Sequence, residues 1–95
     1  MSQLQNNKNG MYKFYYTNGT VNIECSYINN VLHGEYIEWH DNGNLKCKTF
    51  YVKGHIHGIF IQLNKDGCVE IESFYEHGTM QSMLTNFDES IFVNM

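Results

Sequence analysis

The sequence predicts an all-β fold, a single-sheet antiparallel β-hairpin meander, on three observations. Gly10, Gly34 and Gly58 open three units of equal length, in which the same residue types recur at the same offsets. Short runs rich in Val, Ile, Tyr, Phe and Thr alternate with turn signals, which is typical of strands joined by hairpins. No segment carries an apolar period of about 3.6 residues, and the chain contains no Ala. A fixed period of this length indicates a repeat array.

The period divides the chain of 95 residues into a polar tail and four units. The boundaries are 1–9 for the N-terminal tail, 10–33 for repeat 1, 34–57 for repeat 2, 58–81 for repeat 3 and 82–95 for a partial C-terminal capping repeat. In the last unit Ser82 stands where the opening glycine is expected. Terminal repeats are often atypical because they cap the array.

Alternation of apolar and polar residues predicts two strands in each unit. The predicted strands are 11–16, 20–28, 31–40, 44–52, 55–63, 68–76, 79–87 and 91–94. Aromatic residues recur two and seventeen places after each opening glycine. The first set is Tyr12, Tyr36 and Phe60, and the second set is Tyr27, Tyr51 and Tyr75.

Turn glycines lie nine places after each opening glycine, at Gly19, Gly43 and Gly67. Asn18-Gly19 and Asn42-Gly43 predict two-residue type I′ turns, in which both central residues have positive φ. The corresponding pair in repeat 3 is Asp66-Gly67, and the opposite turns are expected at Asn29-Asn30, Lys53-Gly54 and His77-Gly78.

Gly34 and Gly58 fall inside predicted strands, where a glycine often marks the close approach of another group. An aromatic ring on the adjoining strand can lie over the bare backbone. The candidates for these rings are Tyr27, Tyr51 and Tyr75. The glycines that we predict to be structural are Gly10, Gly34, Gly58, Gly19, Gly43 and Gly67.

Charge and composition argue against several classes of function. The formal net charge is −4 and the six basic residues are all Lys, which argues against nucleic acid and anionic lipid as partners. Residues 1–9 lack the apolar core of a signal peptide, and 58–63 is too short to span a bilayer. Three cysteines fit reduced thiols. We therefore expect a soluble cytoplasmic protein. The lack of Ala, Pro and Arg indicates an AT-rich genome; if that genome is viral, the compartment is the host cytoplasm.

Three segments carry a resemblance to a known repeat family. They are Gly34-Glu35-Tyr36 with Trp39, Asp41-Asn42-Gly43-Asn44-Leu45, and Tyr51-Val52-Lys53-Gly54-His55-Ile56-His57-Gly58. In these segments the chain resembles MORN-repeat proteins, in the variant seen in bacterial antitoxin-like proteins and in proteins of large DNA viruses. The resemblance covers residues 10 to about 87 and departs from the family pattern at Asn29-Asn30 and at Ser82. It implies a grooved, twisted meander sheet with a structural or interaction role, in which dimerisation or protein binding is common.

The histidines and cysteines are the candidates for metal binding. His55 and His57 share one strand face, His33 repeats the position of His57, and His-x-His on a strand can bind zinc. However, the three cysteines occupy three different repeat offsets with no C-x-x-C spacing; they are Cys25, Cys47 and Cys68. A structural role for the His-Gly step is therefore favoured, and we predict no metal and no cofactor. Cys25 and Cys47 are expected to be small buried hydrophobes.

No catalytic residue is predicted, because no local motif places an imidazole and an oxyanion hole beside a thiol. The charged residues suggest a solvated ladder across the units instead. Its members are Glu24, Lys46, Lys48, Glu70 and Glu72.

The aromatic side chains are the best candidates for a binding site. A single sheet has two faces, and one small chain cannot cover both, so some rings should be exposed unless a partner covers them. Exposed Trp and Tyr are enriched at binding hot spots. The predicted partner-binding residues are Tyr36, Trp39, Phe50, Tyr51, Phe60, Phe74 and Tyr75. The opposing interpretation is that the sheet coils enough to bury these rings by itself.

The sequence thus predicts a non-catalytic protein–protein interaction or scaffolding module. Its partner is expected to be another protein or a second copy of the chain, with no nucleic acid and no small-molecule substrate, and the acidic composition disfavours membrane lipid. Two alternatives remain open. One is an antitoxin-like inhibitor of a partner protein, which the family resemblance suggests, and the other is a membrane-peripheral scaffold. An enzyme is the least favoured class.

Overall fold

The computed structural model describes residues 7–85, which form one antiparallel sheet of eight strands. The strands are β1 (Gly10–Tyr15), β2 (Val21–Ile28), β3 (Val31–Trp39), β4 (Leu45–Val52), β5 (His55–Ile56), β6 (Gly58–Leu63), β7 (Val69–Glu76) and β8 (Thr79–Thr85). Their order across the sheet is β1-β2-β3-β4-β6-β7-β8, and β5 pairs with β4 beside β6. This order confirms the predicted all-β hairpin meander.

The predicted strands agree with the structure within two residues, with two differences. The strand predicted at 55–63 is divided at His57, whose backbone N–H donates to the Phe50 carbonyl at 2.7 Å. The strand predicted at 91–94 lies outside the described residues. No helix within 7–85 has the length and apolar character needed to cross a membrane.

Turns of two kinds alternate along the chain, and the type I′ turns are not at the predicted positions. The short turns, at Asn29-Asn30, Lys53-Gly54 and His77-Gly78, have positive φ at both central residues, for example 50° and 86° at Lys53 and Gly54. They are therefore the type I′ turns. Lys and His rarely adopt this conformation because the Cβ atom crowds the following carbonyl oxygen.

The long turns are three-residue loops, so the prediction of type I′ turns at Asn18-Gly19, Asn42-Gly43 and Asp66-Gly67 is wrong. In the first long turn the Gly19 N–H donates to the Tyr16 carbonyl at 3.0 Å, and the Tyr16 N–H donates to the Thr20 carbonyl at 2.8 Å. Only the glycine has positive φ, 93° at Gly19. This is a type I turn followed by a glycine bulge, which needs left-handed backbone at its last residue alone. The other two long turns, His40–Asn44 and Asn64–Cys68, repeat both hydrogen bonds.

The opening glycines are needed for their backbone conformation more than for space. Gly34 has φ 109° and lies directly opposite Tyr51, and Gly58 has φ 93° and lies opposite Tyr75. The predicted tyrosines are therefore the cross-strand partners. However, a Cβ atom at Gly58 would meet nothing within 4 Å, and one at Gly34 would make ordinary contact with Ser26 at 3.5 Å. The positive φ, which disfavours L-residues, is what requires glycine.

The capping unit is one residue shorter than the others where it pairs with β7. Phe74 pairs with Ile59 in β6 and with Ser82 in β8, so the step from Ile59 to Ser82 falls one position short of the repeat length. Ser82 therefore takes the position of Ile59, and the expectation that it replaces the opening glycine is wrong. This unit has no glycine here, and it reaches the position equivalent to Ile59 with one residue fewer than the other repeats.

Hydrogen bonds between neighbouring repeats hold the turns in place. On the short-turn side, the Gly54 N–H donates to the Leu32 carbonyl at 2.8 Å, and the Gly78 N–H donates to the Ile56 carbonyl at 2.8 Å. On the long-turn side, the Tyr16 hydroxyl donates to the Trp39 carbonyl at 2.6 Å. The corresponding bond one repeat later joins His40 Nε2 to the Leu63 carbonyl at 2.9 Å, and the asparagine amides of Asn18 and Asn42 donate to the carbonyls of Asp41 and Lys65.

Aromatic pairs and small residues form what core the sheet has. Each repeat holds one edge-to-face ring pair, with centroids 5.4 to 6.3 Å apart; the pairs are Tyr12–Tyr27, Tyr36–Tyr51 and Phe60–Tyr75. Cys25, Thr49 and Ser73 lie opposite these rings in the ladder and are the most buried side chains. A small residue at this position leaves room for the ring on each neighbouring strand, so large and small side chains alternate across the sheet.

We predict that Gly34→Ala destabilises the protein by about 1–2 kcal/mol, because alanine must adopt a positive φ there. Urea denaturation monitored by circular dichroism measures the change. Lys53→Gly is the control, since glycine suits the φ of 50° that Lys53 adopts, and it should keep or raise the stability. Equal stability of Gly34→Ala and the parent protein would contradict the assigned backbone role.

Candidate protein-binding surface

The strand register assigns the side chains to two faces, because residues directly opposite in a ladder point to the same side. One face, the tyrosine face, carries the three ring pairs and the buried small residues. The other, the mixed face, carries apolar and charged side chains together. Its members are Met11, Lys13, Glu24, Ser26, Glu35, Ile37, Lys48, Phe50, Ile59, Ile61, Glu72, Phe74, Ser82 and Leu84.

The predicted binding residues do not form one site. Four of them lie on the tyrosine face, half-buried in the ring pairs; they are Tyr36, Tyr51, Phe60 and Tyr75. Phe50 and Phe74 lie on the mixed face and are exposed. Trp39 lies at the end of β3, opposite Leu45 and beside Val21. The sheet therefore separates the seven side chains into a self-packed group, an exposed pair and a residue near the long turns.

The tyrosine face is largely closed by its own packing. The Tyr36 hydroxyl donates to Glu38 Oε1 at 3.2 Å, and burial together with this carboxylate raises the pKa of Tyr36. At the first ring pair, Lys8 Nζ lies 5.0 Å from the Tyr27 ring centroid and 5.8 Å from that of Tyr12. Because the rings already have partners, this face offers less free apolar surface than the aromatic count suggested.

A continuous row of paired residues crosses the mixed face from β1 to β8. Each member is the direct cross-strand partner of the next, and the row reads Lys13, Glu24, Ile37, Lys48, Ile61, Glu72 and Leu84. Charged and aliphatic residues alternate from Glu24 onward. Lys48 is flanked in this row by Ile37 and Ile61, so it has no carboxylate as a direct cross-strand neighbour.

An exposed apolar patch covers the C-terminal half of the mixed face. We define it as Phe50, Ile59, Ile61, Phe74 and Leu84. Four of these side chains remain well exposed, at 43%, 51%, 39% and 57% for Phe50, Ile59, Phe74 and Leu84. Ile59 is the direct partner of Phe74, and Ile61 and Leu84 flank Glu72.

The aliphatic members of the apolar patch are absent from the predicted binding residues, which are all aromatic. Their signal was nevertheless present. Ile59 and Ile61 alternate with Phe60 in β6, and a period of two places them on the face opposite to that ring.

Equivalent hollows lie between neighbouring repeats on the mixed face. The first is lined by Met11, Glu24, Ser26, Glu35 and Ile37, together with Cys25. The second, one repeat later, is lined by Glu35, Lys48, Phe50, Ile59 and Ile61, together with Thr49. The first hollow is acidic, whereas the second combines an apolar floor with one carboxylate and one ammonium group. The fold thus repeats a shape while the sequence changes its chemistry.

The ion pairs of the described residues differ from the predicted ladder. Lys48 Nζ lies 3.8 Å from Glu35 Oε2, and Lys46 Nζ lies 3.4 Å from Glu38 Oε2. The third pair joins Lys65 to Asp41 at 3.3 Å. The predicted carboxylates Glu24, Glu70 and Glu72 form none of these pairs, because aliphatic residues separate Lys48 from Glu24 and Glu72 in the row. All three pairs have substantial solvent exposure and contribute at most about 1 kcal/mol each.

Comparison with known families agrees with this geometry. A family model described as a MORN repeat variant matches residues 8–29 and 32–53. The chain therefore contains MORN-type repeats. The two matched segments each contain one ring pair and one long turn, and repeat 3 continues the same strand register and ring pair beyond them. No curated protein matched the chain. No solved structure matched it either.

MORN repeats are commonly protein- or membrane-binding modules and are generally non-catalytic. The described part of this MORN protein holds no group of three or more histidine, cysteine or carboxylate side chains arranged to bind a metal. The mixed face presents apolar side chains and a few charged groups.

Two of the histidines, His33 and His57, act as hydrogen-bond acceptors. His33 Nδ1 accepts the backbone N–H of Lys53 at 3.1 Å, and His57 Nδ1 accepts that of His77 at 3.3 Å. One repeat earlier, Asn9 Oδ1 accepts the N–H of Asn29 at 2.9 Å. The three acceptors stand at equivalent repeat positions and bind the first central residue of each short turn. This is the structural role that the His-Gly step predicted.

Two of the three cysteines are buried and one is exposed. Cys25 and Cys47 are buried as expected, and Cys68 is exposed next to a long turn. Burial, followed by the nearby Glu38 carboxylate, raises the pKa of the Cys47 thiol to about 11. The thiol therefore stays protonated at neutral pH and is a poor nucleophile.

We predict that His33→Ala destabilises the protein by about 1 kcal/mol, because the backbone N–H of Lys53 loses its acceptor. His33→Asn should retain most of the stability, since Asn9 performs the same role in the preceding repeat. Urea denaturation of both variants measures the difference. Equal losses for alanine and asparagine would show that ring packing, and not the hydrogen bond, is responsible.

We predict that the free energy of unfolding falls as the pH rises from 9 toward 11. The thiol of the unfolded chain ionises near its ordinary pKa of 9.0, whereas in the folded protein the pKa of Cys47 is about 11. Above pH 9 the unfolded state therefore binds fewer protons, and alkali favours it. Urea denaturation at pH 9 and pH 11 measures the fall. Cys47→Val, which removes the thiol, should make the fall smaller, and an unchanged pH dependence would contradict this assignment.

Proposed function

We propose that this MORN protein is a non-catalytic protein-binding module and that the apolar patch of the mixed face is its binding surface. The observation that carries this proposal is the exposure of Phe50, Ile59, Phe74 and Leu84 on one side of a sheet that is a single layer thick. A sheet normally buries one face against a second layer. Within residues 7–85 no second layer covers this face.

The composition of the mixed face suits a protein partner. Aromatic and aliphatic side chains lie at its centre, and Glu35, Lys48 and Glu72 are interspersed with them. An apolar centre with charged surroundings is the usual arrangement of a protein–protein interface. Burial of the apolar side chains would supply affinity, and the fixed charges would select the partner.

The charge also distinguishes a protein from a lipid surface. The chain has a net charge of −4, and two of the three charged residues nearest the patch are carboxylates. Anionic bilayers attract clusters of Lys and Arg. The geometry therefore favours a protein over an anionic membrane.

We predict that Phe74→Ser abolishes capture of the partner without unfolding the chain. Phe74 is 39% exposed, so its loss removes binding surface more than core. The tagged full chain is used for affinity capture from the cells that express it, and the bound proteins, including untagged copies of the chain, are read by mass spectrometry. Ile28→Ser is the matched control, because Ile28 is equally apolar and 51% exposed but lies beside a short turn.

The expected result is a set of proteins bound by the parent chain and by Ile28→Ser but lost with Phe74→Ser. Circular dichroism establishes that both variants are folded. If folded Phe74→Ser captures the same proteins as the parent chain, the apolar patch is not the binding surface and the proposal fails.

A further inference from the structure

The residues of the mixed face are self-complementary about β6. Consider two copies whose mixed faces oppose each other, related by a two-fold axis that runs parallel to β6 between the two sheets. This rotation places β4 of one copy opposite β7 of the other, and β3 opposite β8. Positions along the strand direction do not change, so residues of one row face residues of the same row. In the row that crosses the sheet, Ile61 then faces Ile61 of the second copy, and Lys48 faces Glu72. At the ends of the row Ile37 faces Leu84. Within the overlapping part of this row, the only two charged residues, Lys48 and Glu72, therefore meet each other.

A second row of the mixed face, one step along the strands from the first, is also complementary to itself under this rotation. There Ile59 faces itself, Phe50 faces Phe74, and Glu35 faces the small polar Ser82. The second hollow, lined in part by Phe50, Ile59 and Ile61, thus lies under the exposed ring of Phe74 from the second copy. An exposed ring opposite an apolar hollow is the pairing that interface hot spots show.

An axis along β3, β4 or β7 is unfavourable. An axis along β4 sets Lys48 against Lys48 and Glu24 against Glu72. An axis along β7 sets Glu72 against itself, and one along β3 sets Glu35 against itself. An axis across the strands, along the row, sets every charge against its own copy. Like charges brought together in an interface are strongly unfavourable. The axis along β6 avoids such contacts in both rows.

We propose that the apolar patch binds a second copy of the chain, in a face-to-face dimer whose two-fold axis lies along β6. This inference rests on the proposed function, that the patch binds protein, and names the partner. The dimer supplies the missing second layer, since two sheets packed face to face with nearly aligned strands form a β-sandwich about 10 Å thick. A two-fold axis also makes the interface isologous, so each favourable contact occurs twice.

Charge exchange between Lys48 and Glu72 tests this arrangement. In the full chain, Lys48→Glu brings Glu against Glu72, and Glu72→Lys brings Lys against Lys48. Each should weaken the dimer at least about tenfold in dissociation constant, because each creates two like-charge contacts. The double variant Lys48→Glu/Glu72→Lys restores opposite charges across the interface and should recover the dimer. Sedimentation velocity over a concentration series measures the dissociation constants.

The control is Lys13→Glu. Lys13 belongs to the same row, but β1 lies beyond the overlap of the two sheets, so the charge change should leave the dimer unaffected. Lys48 also pairs with Glu35 within the chain at 3.8 Å. That exposed pair contributes little, and circular dichroism checks that each variant is folded. Because Glu72→Lys leaves the pair with Glu35 intact, it tests the interface independently.

Three results would overturn the inference. A parent chain that stays monomeric at the highest concentration reached in solution excludes the dimer. A dimer that Lys48→Glu and Glu72→Lys leave intact uses another surface, and a double variant that stays monomeric excludes the axis along β6. If the chain is monomeric but captures a different protein that Phe74→Ser loses, the proposed function stands and only the identity of the partner is wrong.

Discussion

A sheet one layer thick has no interior, and this constraint shapes the rest of the molecule. The chain has to bury its rings within the sheet itself. It does so by pairing two aromatic side chains in each repeat and by placing a small residue, Cys25, Thr49 or Ser73, beside each pair. The hydroxyls of Thr49 and Ser73 have no hydrogen-bond partner among the described residues. Small size is therefore what the position requires, and the polar atom is tolerated at a cost.

The opening glycines serve this arrangement. Each has a positive φ and lies opposite the second tyrosine of a ring pair, as Gly34 does opposite Tyr51. In the register that follows, the first ring of each pair lies beside a small residue, as Tyr36 does beside Thr49. The capping unit lacks this glycine and pairs one residue out of step, with Met83 opposite Ser73 where Phe60 lies on the other side. The register of the rings and the backbone conformation of the glycines thus depend on each other.

The fold was predictable because its signals repeat. Seven of the predicted strands, their meander and the tyrosines opposite the glycines all follow from the period that separates Gly10, Gly34 and Gly58. The turn types did not follow, since Asn-Gly suits both a two-residue turn and the end of a three-residue loop. The length of the loop depends on which residues form the last hydrogen-bonded pair between the strands, here Tyr16 and Thr20. The ends of strands are weakly marked in sequence. The shortened cap was equally hidden, because Ser82 fits the alignment of the repeats.

The proposed binding surface was only half predictable. Phe50 and Phe74 are among the predicted binding residues, but so are tyrosines that pack against one another. The alternation of side chains along a strand assigns each residue to a face of the sheet. It does not show whether the side chains of that face pack against one another or stay exposed. Only the register shows that the ring pairs close one face and that Ile59, Ile61 and Leu84 extend the other.

The hydrogen bonds between turns have a consequence for how the molecule comes apart. Each reaches only the adjoining repeat, as from Gly54 to Leu32 or from Tyr16 to Trp39. No described hydrogen bond joins β1 and β2 to β7 and β8. The stability of such a stack is a sum of nearest-neighbour terms, like that of a one-dimensional lattice. Unfolding can therefore proceed from either end by fraying, one repeat at a time. The same lattice tolerates a change in length by whole repeats, because adding or removing a unit creates no contact that the existing units do not already make.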